Sequence, residues 1–357
     1  MVVLQVCAFA APTPGNFIPS LLALEKSLKK NNIDTIYAFP ERARDKEWCL
    51  ELQQYTKVYF LPESQARLRL QTYQIFKMIY NENDIGIVHS HFELYDIPAT
   101  IMAPKKTRIF WHLHDALKEN YQKSSLTRKI LTKIQYGHVG KNVKLLSVSK
   151  EHAEFAVELG FLKKNIEYVP NGINTSRINT ALIDAYENKR QFLLFGWEVY
   201  RKGVDLIVDA AKNIDLKNMQ IKVVGQDECE AYLQKMVTSD FVVFSRPVKD
   251  INELYKETAV FLHISRAEGL SYALLEAIYA GIPVVCSDIP ENQFANEFRN
   301  IIWIRNGNID DLSKVLNSIH DITKNVDKND VRFNRGIIDK HYSLNTWVNR
   351  VIEIYMT

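Results

Sequence analysis

Short apolar, β-branched runs recur along the chain, and the stretches between them carry apolar residues at helical spacing. The first set is Val2–Phe9, Thr35–Phe39, Lys57–Leu61, Gly86–His89, Arg108–His112 and Lys144–Val148. The second is Phe192–Phe195, Gln220–Val224, Phe241–Phe244, Ala259–Ile264, Pro283–Cys286 and Ile301–Ile304. Leu21, Leu24 and Leu28 show the helical period in one intervening stretch. Near-continuous apolar strands alternating with helices predict parallel sheets covered on both faces. Two such sets predict two doubly wound, Rossmann-like α/β domains, residues 1–172 and 173–340, joined near the polar stretch Asn171–Gln191. The last segment, His341–Thr357, puts Leu344, Trp347, Val348, Val351, Ile352 and Tyr355 on one helical face, which needs a surface to cover. Ligands of open parallel sheets bind beyond the carboxyl ends of the strands, so the active site is expected there, in the cleft between the two domains.

Composition narrows the class. Of 357 residues 46% are hydrophobic and 24% charged, which is ordinary globular usage and excludes a mainly disordered chain. No run of 18 apolar residues exists, and Met1–Val6 lacks a basic region or cleavage site, so a cytoplasmic chain is expected. The four cysteines, Cys7, Cys49, Cys229 and Cys286, are far apart and read as buried thiols, not a zinc site.

Charge is distributed unevenly. Residues 101–150 hold 11 Lys and Arg against only Asp115 and Glu119, within a chain whose net charge is +3. Leu126, Ile130 and Ile134 form a stripe there, bordered by Lys123, Arg128, Lys129 and Lys133. Two readings stand: a helix packing that stripe inward, or one lying on an anionic membrane surface. No nucleic-acid motif accompanies the charge, so nucleic acid is not expected as a partner.

The turn after the first strand, Ala10–Phe17, lacks Gly-x-Gly-x-x-Gly, which removes the main support for hydride chemistry. Gly15 and Asn16 can still let backbone approach a ligand, before a helix expected near Pro19. The strongest signal is Ser265–Ala277. A strand ends near Ile264, a short loop carries Glu268 and Gly269, and a helix begins near Ser271. The N–H groups of Leu270, Ser271 and Tyr272 at that helix start suit a diphosphate. Glu276 follows Glu268 by eight residues, about 12 Å if the span is mostly helical. That separation suits carboxylates gripping hydroxyls at opposite ends of a sugar nucleotide. The bland alternative, two solvated glutamates, fits poorly with the apolar neighbours of Glu276. Lys202 lies at a strand-to-helix junction, either solvated or placed to neutralise a departing diphosphate. His114 and Asp115, at a strand end, read as structural or as contacts to a ligand. No Asp-x-Asp pair or histidine–carboxylate cluster is spaced for a catalytic metal.

These residues carry a resemblance to the retaining GT-B glycosyltransferases, in particular glycosyltransferase family four (glycosyl transferases group 1). Glu268 to Glu276 resembles the family's Glu-x7-Glu motif. Gly196-Trp197-Glu198-Val199-Tyr200-Arg201-Lys202-Gly203 is similar to its diphosphate-holding loop. His89-Ser90-His91 and His112-Leu113-His114-Asp115 resemble its two histidine motifs, Val169–Asn174 its domain-joining motif, and Gly281–Ser287 the strand after the Glu-x7-Glu helix.

The resemblance implies a metal-independent, cofactor-free, retaining transfer of sugar from a nucleotide-sugar donor, with UDP favoured, to a glycan or lipid-linked acceptor. It assigns catalysis to Glu268, His114 and Lys202. Donor binding falls to Gly15, Asn16, Arg201, Lys202, Gly269, Leu270, Ser271 and Glu276, and the acceptor side to His91 and Asp115. It also implies that the 341–357 helix packs back on the first domain. Trp197 departs from the family, which usually has an arginine there, leaving the diphosphate to Arg201 or Lys202. A non-catalytic partner subunit is therefore a second reading, and an epimerase or phosphorylase on the same fold a third.

Overall fold

The computed structural model describes residues 1–180, 189–214, 216, 219–318, 322 and 326–357. Part of the expected join, residues 181–188, lies outside the described residues. The chain divides into two compact units, Met1–Gly172 with Leu344–Thr357, and Ile173–Ser343.

The first unit carries a seven-stranded sheet: β1 (Val2–Cys7), β2 (Asp34–Pro40), β3 (Val58–Leu61), β4 (Ile85–His91), β5 (Arg108–Leu113), β6 (Lys144–Ser147) and β7 (Ile166–Tyr168). The second carries, among the described residues, six strands: β8 (Gln191–Phe195), β9 (Gln220–Val224), β10 (Val242–Ser245), β11 (Thr258–His263), β12 (Val284–Asp288) and β13 (Ile301–Arg305). Neighbouring strands in both sheets are parallel. The orders are β3-β2-β1-β4-β5-β6-β7 and β10-β9-β8-β11-β12-β13. Each sheet therefore reverses direction once, between β1 and β4 and between β8 and β11. At such switch points the loops leaving neighbouring strands diverge and open a crevice. β7 escaped the sequence reading because Ile166-Glu167-Tyr168 is too short and too mixed to register as an apolar run.

The carboxyl-terminal segment is two helices, not one continuous helix from His341. His341 ends the helix Lys328–His341, and the terminal helix runs Leu344–Met356. Its buried face is Trp347, Val348, Val351, Ile354 and Tyr355, so Ile354 takes the place expected of Ile352. This face packs on Val3, Ile87, Phe110 and Val169 of the first unit, beside Leu24 and Leu28. Burying a side chain of this size is worth roughly 1.5–3 kcal/mol, so the helix is an integral part of that core. The first helix runs Phe17–Lys29 and starts two residues before Pro19, with Asn16 at its cap. All four cysteines are buried thiols.

Candidate active site

In the second unit the switch point brings together two loops that are distant in sequence. β8 leads into Gly196–Gly203 and β11 into Ile264–Ser271. Gly203 can only be glycine: its φ is +75°, and a Cβ there would stand 2.7 Å from the Ile264 carbonyl oxygen. Arg266 stitches the loops further. It forks onto both Asp205 carboxylate oxygens at 2.7 and 2.8 Å, lies 3.9 Å over the Tyr200 ring, and donates its backbone N–H to the Arg201 carbonyl at 2.8 Å.

The stitching places Lys202 against Glu268. Nζ of Lys202 donates to Oε1 of buried Glu268, and Arg201 Nη1 lies 3.6 Å from Oε2. Arg201 also pairs with Glu198 at 2.5 Å. Burial would raise the Glu268 carboxyl, but Lys202, with His263 and Arg201, outweighs it and holds the group at about 2. His263 is itself pushed down to about 4, by burial first, despite the Glu268 charge. It is therefore neutral at pH 7, and its 3.9 Å approach to Glu268 is not an ion pair there. The two cations carry the compensation.

Glu276 is buried in the helix Tyr272–Ala280, whose start is fixed by Ser271: its hydroxyl accepts the Leu274 N–H at 3.3 Å. Arg177 Nε lies 3.5 Å from Glu276 Oε1. Gly269 and Leu270 are buried between Glu268 and that cap. The arrangement offers a carboxylate, two cations and a helix start beside the β8/β11 switch point, and a second buried carboxylate one turn further along the helix. His263, Arg266 and Arg177 did not stand out in the sequence. His263 ends an apolar strand in Phe261-Leu262-His263, a signal of the same kind as His112 and His114.

The first unit gathers histidines. The register pairs Gln5 with His89, Cys7 with His91, and His91 with His112. Because side chains alternate along a strand, Gln5, His89, His91, His112 and His114 lie on one face, the face the terminal helix covers. His89, His91 and His112 are buried, and their ligating nitrogens lie within 4.8 Å of one another. Spacing in the sequence did not reveal this group, because it forms across two strands. Burial, as the largest cause, lowers all four histidines: His114 to about 3, the others well below the ordinary imidazole range.

Phe92 and Glu93, directly after β4, both have left-handed backbone, φ 64° and 57°. Such strain in non-glycine residues persists only where the surroundings enforce it. Here it seats the Phe92 ring 4.8 Å from His114 and 4.9 Å from Phe17. Gly15 (φ +55°) and Asn16 lead into Phe17, whose ring edge also meets His91 and His114. Asp115 is exposed at the end of β5. The structure thus groups Gly15, Asn16, His91, His114 and Asp115 in the first unit, and Arg201, Lys202, Glu268–Ser271 and Glu276 in the second.

The basic stretch forms the helix Leu126–Gly137, with Leu126, Ile130 and Ile134 on the outside at 75, 52 and 41% exposure. The inward-packing reading is overturned: Thr132, Gln135 and Tyr136 are the buried residues. Gln135 donates to buried Asp96 at 2.9 Å, and the Tyr136 hydroxyl to Glu93 at 2.7 Å. This helix is anchored by polar bonds while its aliphatic stripe faces outward. No helix among the described residues is long and apolar enough to cross a membrane.

Two doubly wound units of this order define the GT-B class of glycosyltransferase fold. Solved structures agree over whole chains. Sucrose-phosphate synthase of Thermosynechococcus elongatus superposes with a TM-score of 0.81 at 15% identity, covering 99% of this chain and 98% of that one. Anabaena HepE, solved in complex with UDP and glucose, gives 0.78 at 15% identity, covering 100% and 99%. Residues 19–177 match the family model Glycosyltransferase Family 4, and residues 189–321 match Glycosyl transferases group 1. The chain belongs to this glycosyltransferase family. The lipopolysaccharide glucosyltransferase WaaG of Escherichia coli K12 is 28% identical over 168 residues, 42% of this chain and 45% of WaaG. The amylovoran biosynthesis glycosyltransferase AmsD of Erwinia amylovora is 28% identical over 161 residues, 43% and 44%. These matches span under half the length of either relative.

Proposed function

We propose that this protein transfers a sugar from a nucleotide-sugar donor, a UDP-sugar, to a glycan or lipid-linked acceptor, with retention at the anomeric carbon and without a metal. The observation that carries the reading is the pairing of Lys202 with buried Glu268, flanked by Arg201, at the start of the helix that holds Glu276. A diphosphate arriving there meets two cations, and the helix start adds about half a unit charge of the same sign. As the sugar leaves, Lys202 and Arg201 neutralise the charge developing on the diphosphate. Glu276 is the acceptor for ribose hydroxyls and Glu268 for sugar hydroxyls. A leaving-group oxygen takes the acceptor's proton, so a separate base is not required on the chain. In this reading the second unit takes the donor and the first unit the acceptor, with His91, His114 and Asp115 on that side. The UDP and glucose bound by HepE, and the glucosyltransferase name of WaaG, favour the same donor class.

The exposed stripe of the Leu126–Gly137 helix supports a peripheral position on an anionic membrane at its cytoplasmic face. A helix with an apolar edge and a basic rim gains from both burial in the interface and attraction to anionic headgroups. A lipid-linked acceptor is presented at such a surface.

Thermal unfolding with UDP, GDP, ADP and UDP-sugars tests the donor assignment, since a ligand that binds only the folded state raises its apparent stability. UDP is expected to raise the melting temperature, and the correct UDP-sugar to release free sugar slowly in the absence of acceptor. No stabilisation by any nucleotide, with no sugar released, would overturn the reading. The anomeric configuration of the product, read by NMR, decides retention.

A further inference from the structure

The four histidines of the first unit do more than pack: they form one continuous hydrogen-bonded chain with Gln5 and Tyr355. His114 Nε2 lies 2.9 Å from His91 Nδ1, and His91 Nε2 lies 2.9 Å from Gln5 Oε1. Gln5 Nε2 donates to the Tyr355 hydroxyl at 3.3 Å, and that hydroxyl lies 2.5 Å from His89 Nδ1. His89 Nε2 then lies 3.1 Å from His112 Nδ1. Beyond it, the chain ends at the buried His112 Nε2.

Neutral imidazole has one donor and one acceptor nitrogen, so each link in such a chain fixes the next. All four rings are neutral at pH 7, because burial holds them below the ordinary histidine range. The Gln5 amide fixes the direction. Its Oε1 can only accept, so His91 donates from Nε2 and accepts at Nδ1 from His114 Nε2. Gln5 Nε2 donates to the Tyr355 hydroxyl, which passes its own proton to a hydrogen bond with His89 Nδ1. His89 then donates from Nε2 to His112 Nδ1, which leaves the His112 proton on Nε2. The reverse direction would set a bare His91 Nε2 lone pair against the Gln5 oxygen.

We propose that Tyr355 and Gln5 are positioning residues that, through this chain, lock His114 in the Nε2–H tautomer, so that it presents Nδ1 only as a hydrogen-bond acceptor. The Asn171 side chain, which hydrogen-bonds His114, belongs to the same constellation. The chain ends at the buried His112 Nε2, away from solvent, so it orients His114 and does not relay protons. It also gives the terminal helix a role beyond covering the core, since Tyr355 is the link between the two histidine pairs. A metal is a poorer account of the His89, His91 and His112 group. The nitrogens of His89 are paired with Tyr355 and His112 and those of His91 with His114 and Gln5, and among the described residues no carboxylate joins the group to balance a divalent charge. The consequence for turnover rests on the role proposed for His114; the tautomer itself does not.

The test is long-range nitrogen–proton NMR on protein labelled at histidine, with signals assigned by single histidine substitutions. In the wild-type protein at pH 7.5 His89, His91, His112 and His114 are expected to give the pattern of the Nε2–H tautomer. An Nδ1–H pattern for His114 or His91 overturns the proposal. So does loss of the N–H signals on adding zinc, with one equivalent bound. Tyr355→Phe keeps the ring that packs 5.3 Å from Phe110 and removes only the hydroxyl. It is expected to give His91 and His114 mixed tautomers and to lower kcat about tenfold with KM for the donor little changed. Unchanged tautomers in a folded Tyr355→Phe overturn the role given to Tyr355. Should that variant not fold, Gln5→Met makes the same break between Tyr355 and His91, with the same expectations. If His114→Ala leaves kcat unchanged, the assignment of His114 in the reaction fails while the tautomer result stands on its own.

Discussion

Lys202 and Glu268, 66 residues apart, are hydrogen-bonded inside the second unit, and Lys202 is the charge that acts most strongly on Glu268. The cation proposed for the diphosphate is engaged by the carboxylate proposed for the sugar. Binding then redistributes a charge that is desolvated beforehand, and little reorganisation is left for the transfer step.

Lys202→Ala should therefore act in two ways. Turnover per unit donor should fall several hundred-fold or more, taking roughly 3–4 kcal/mol for one lost transition-state donor. Stability should fall as well, because Glu268 loses its nearest cation and Arg201 lies further off, at 3.6 Å. The loss should stay below the roughly 3–5 kcal/mol of a buried pair with no second cation. Lys202→Met combined with Glu268→Gln should recover most of the stability and none of the activity, which separates the two effects. Lys202→Arg should restore turnover only in part, since a planar fork does not fit where a compact ammonium sat. Near-normal single-turnover rates in Lys202→Ala would move the diphosphate site elsewhere.

Trp197→Arg should leave a folded protein and partly rescue Lys202→Ala. Trp197 is 41% exposed and stacks on Phe195 with centroids 5.8 Å apart, so its loss removes a surface stack and excavates no core. A guanidinium there supplies the cation that the family loop usually carries. Steady-state kinetics of the double variant, with circular dichroism to confirm folding, decides it. A double variant no better than Lys202→Ala would show that position 197 does not reach the donor.

Glu276→Ala should weaken nucleotide binding, and Glu268→Ala should lower turnover more than affinity. A lost hydrogen bond to a charged group costs roughly 1.5–3 kcal/mol, about 10- to 150-fold. Calorimetry with UDP measures the first effect, and unchanged affinity in Glu276→Ala would sink the ribose assignment.

How far the sequence reached can be traced residue by residue. Apolar runs of four or more exposed almost every strand, because both sheets are covered on both faces and need such runs. Ile166-Glu167-Tyr168 did not, since a three-residue edge strand with a central glutamate has no such requirement. Lys202 and Glu268 were legible one at a time from their loops. Their direct contact was not, because it follows from β8 and β11 being neighbours at a switch point, which is a property of strand order. The histidine chain was hidden for the same reason: the alternation in His89-Ser90-His91 and His112-Leu113-His114 is local, but their pairing is across strands. The Leu126–Ile134 stripe left two readings because helical periodicity gives a face without saying which side the core lies on. Polar anchors at Gln135 and Tyr136 turned it outward.

That outward stripe predicts binding to vesicles. Anionic phosphatidylglycerol vesicles should bind the protein at low salt and release it as salt rises, since exposed charges are screened over about 10 Å at 0.1 M. Reversing Lys123, Arg128, Lys129 and Lys133 to Glu should abolish binding with the fold intact. Lys123 already pairs with Glu119 and Lys129 lies 5.7 Å from the centroid of the Tyr121 ring, so Arg128 and Lys133 should carry the larger single effects. Leu126→Ser with Ile130→Ser should weaken binding at every salt concentration, because it removes the part of the affinity that salt does not screen. Co-sedimentation measures both. A wild-type protein that ignores anionic vesicles at low salt would leave the stripe without a membrane role.

Acid should destabilise this protein unusually early, and the sign follows from its buried histidines. His89, His91 and His112 sit well below the ordinary value of 6.5, His114 near 3 and His263 near 4, in each case chiefly through burial. Below pH 6.5 the unfolded chain binds these protons and the folded one does not, so stability falls as pH falls. The loss begins at the unfolded value and continues until each folded value is reached. Asp96 works in the opposite direction: burial, outweighing its bonds from Ser90 and Gln135, raises it to about 7. The folded state therefore takes up that proton first and offsets about one histidine between pH 7 and 4. Each uncompensated proton contributes about 1.4 kcal/mol per pH unit, so the net slope has a ceiling of roughly 5 kcal/mol per unit. Against a total stability of about 5–15 kcal/mol, cooperative unfolding is expected within one to three units below pH 6.5. Urea titrations at pH 7.5, 6.0 and 5.0 measure the slope. His91→Gln should be less stable at pH 7.5 yet lose stability less steeply with acid, by about one proton's worth. A midpoint unchanged between pH 7.5 and 5.0 would mean that these rings are not held neutral by the fold.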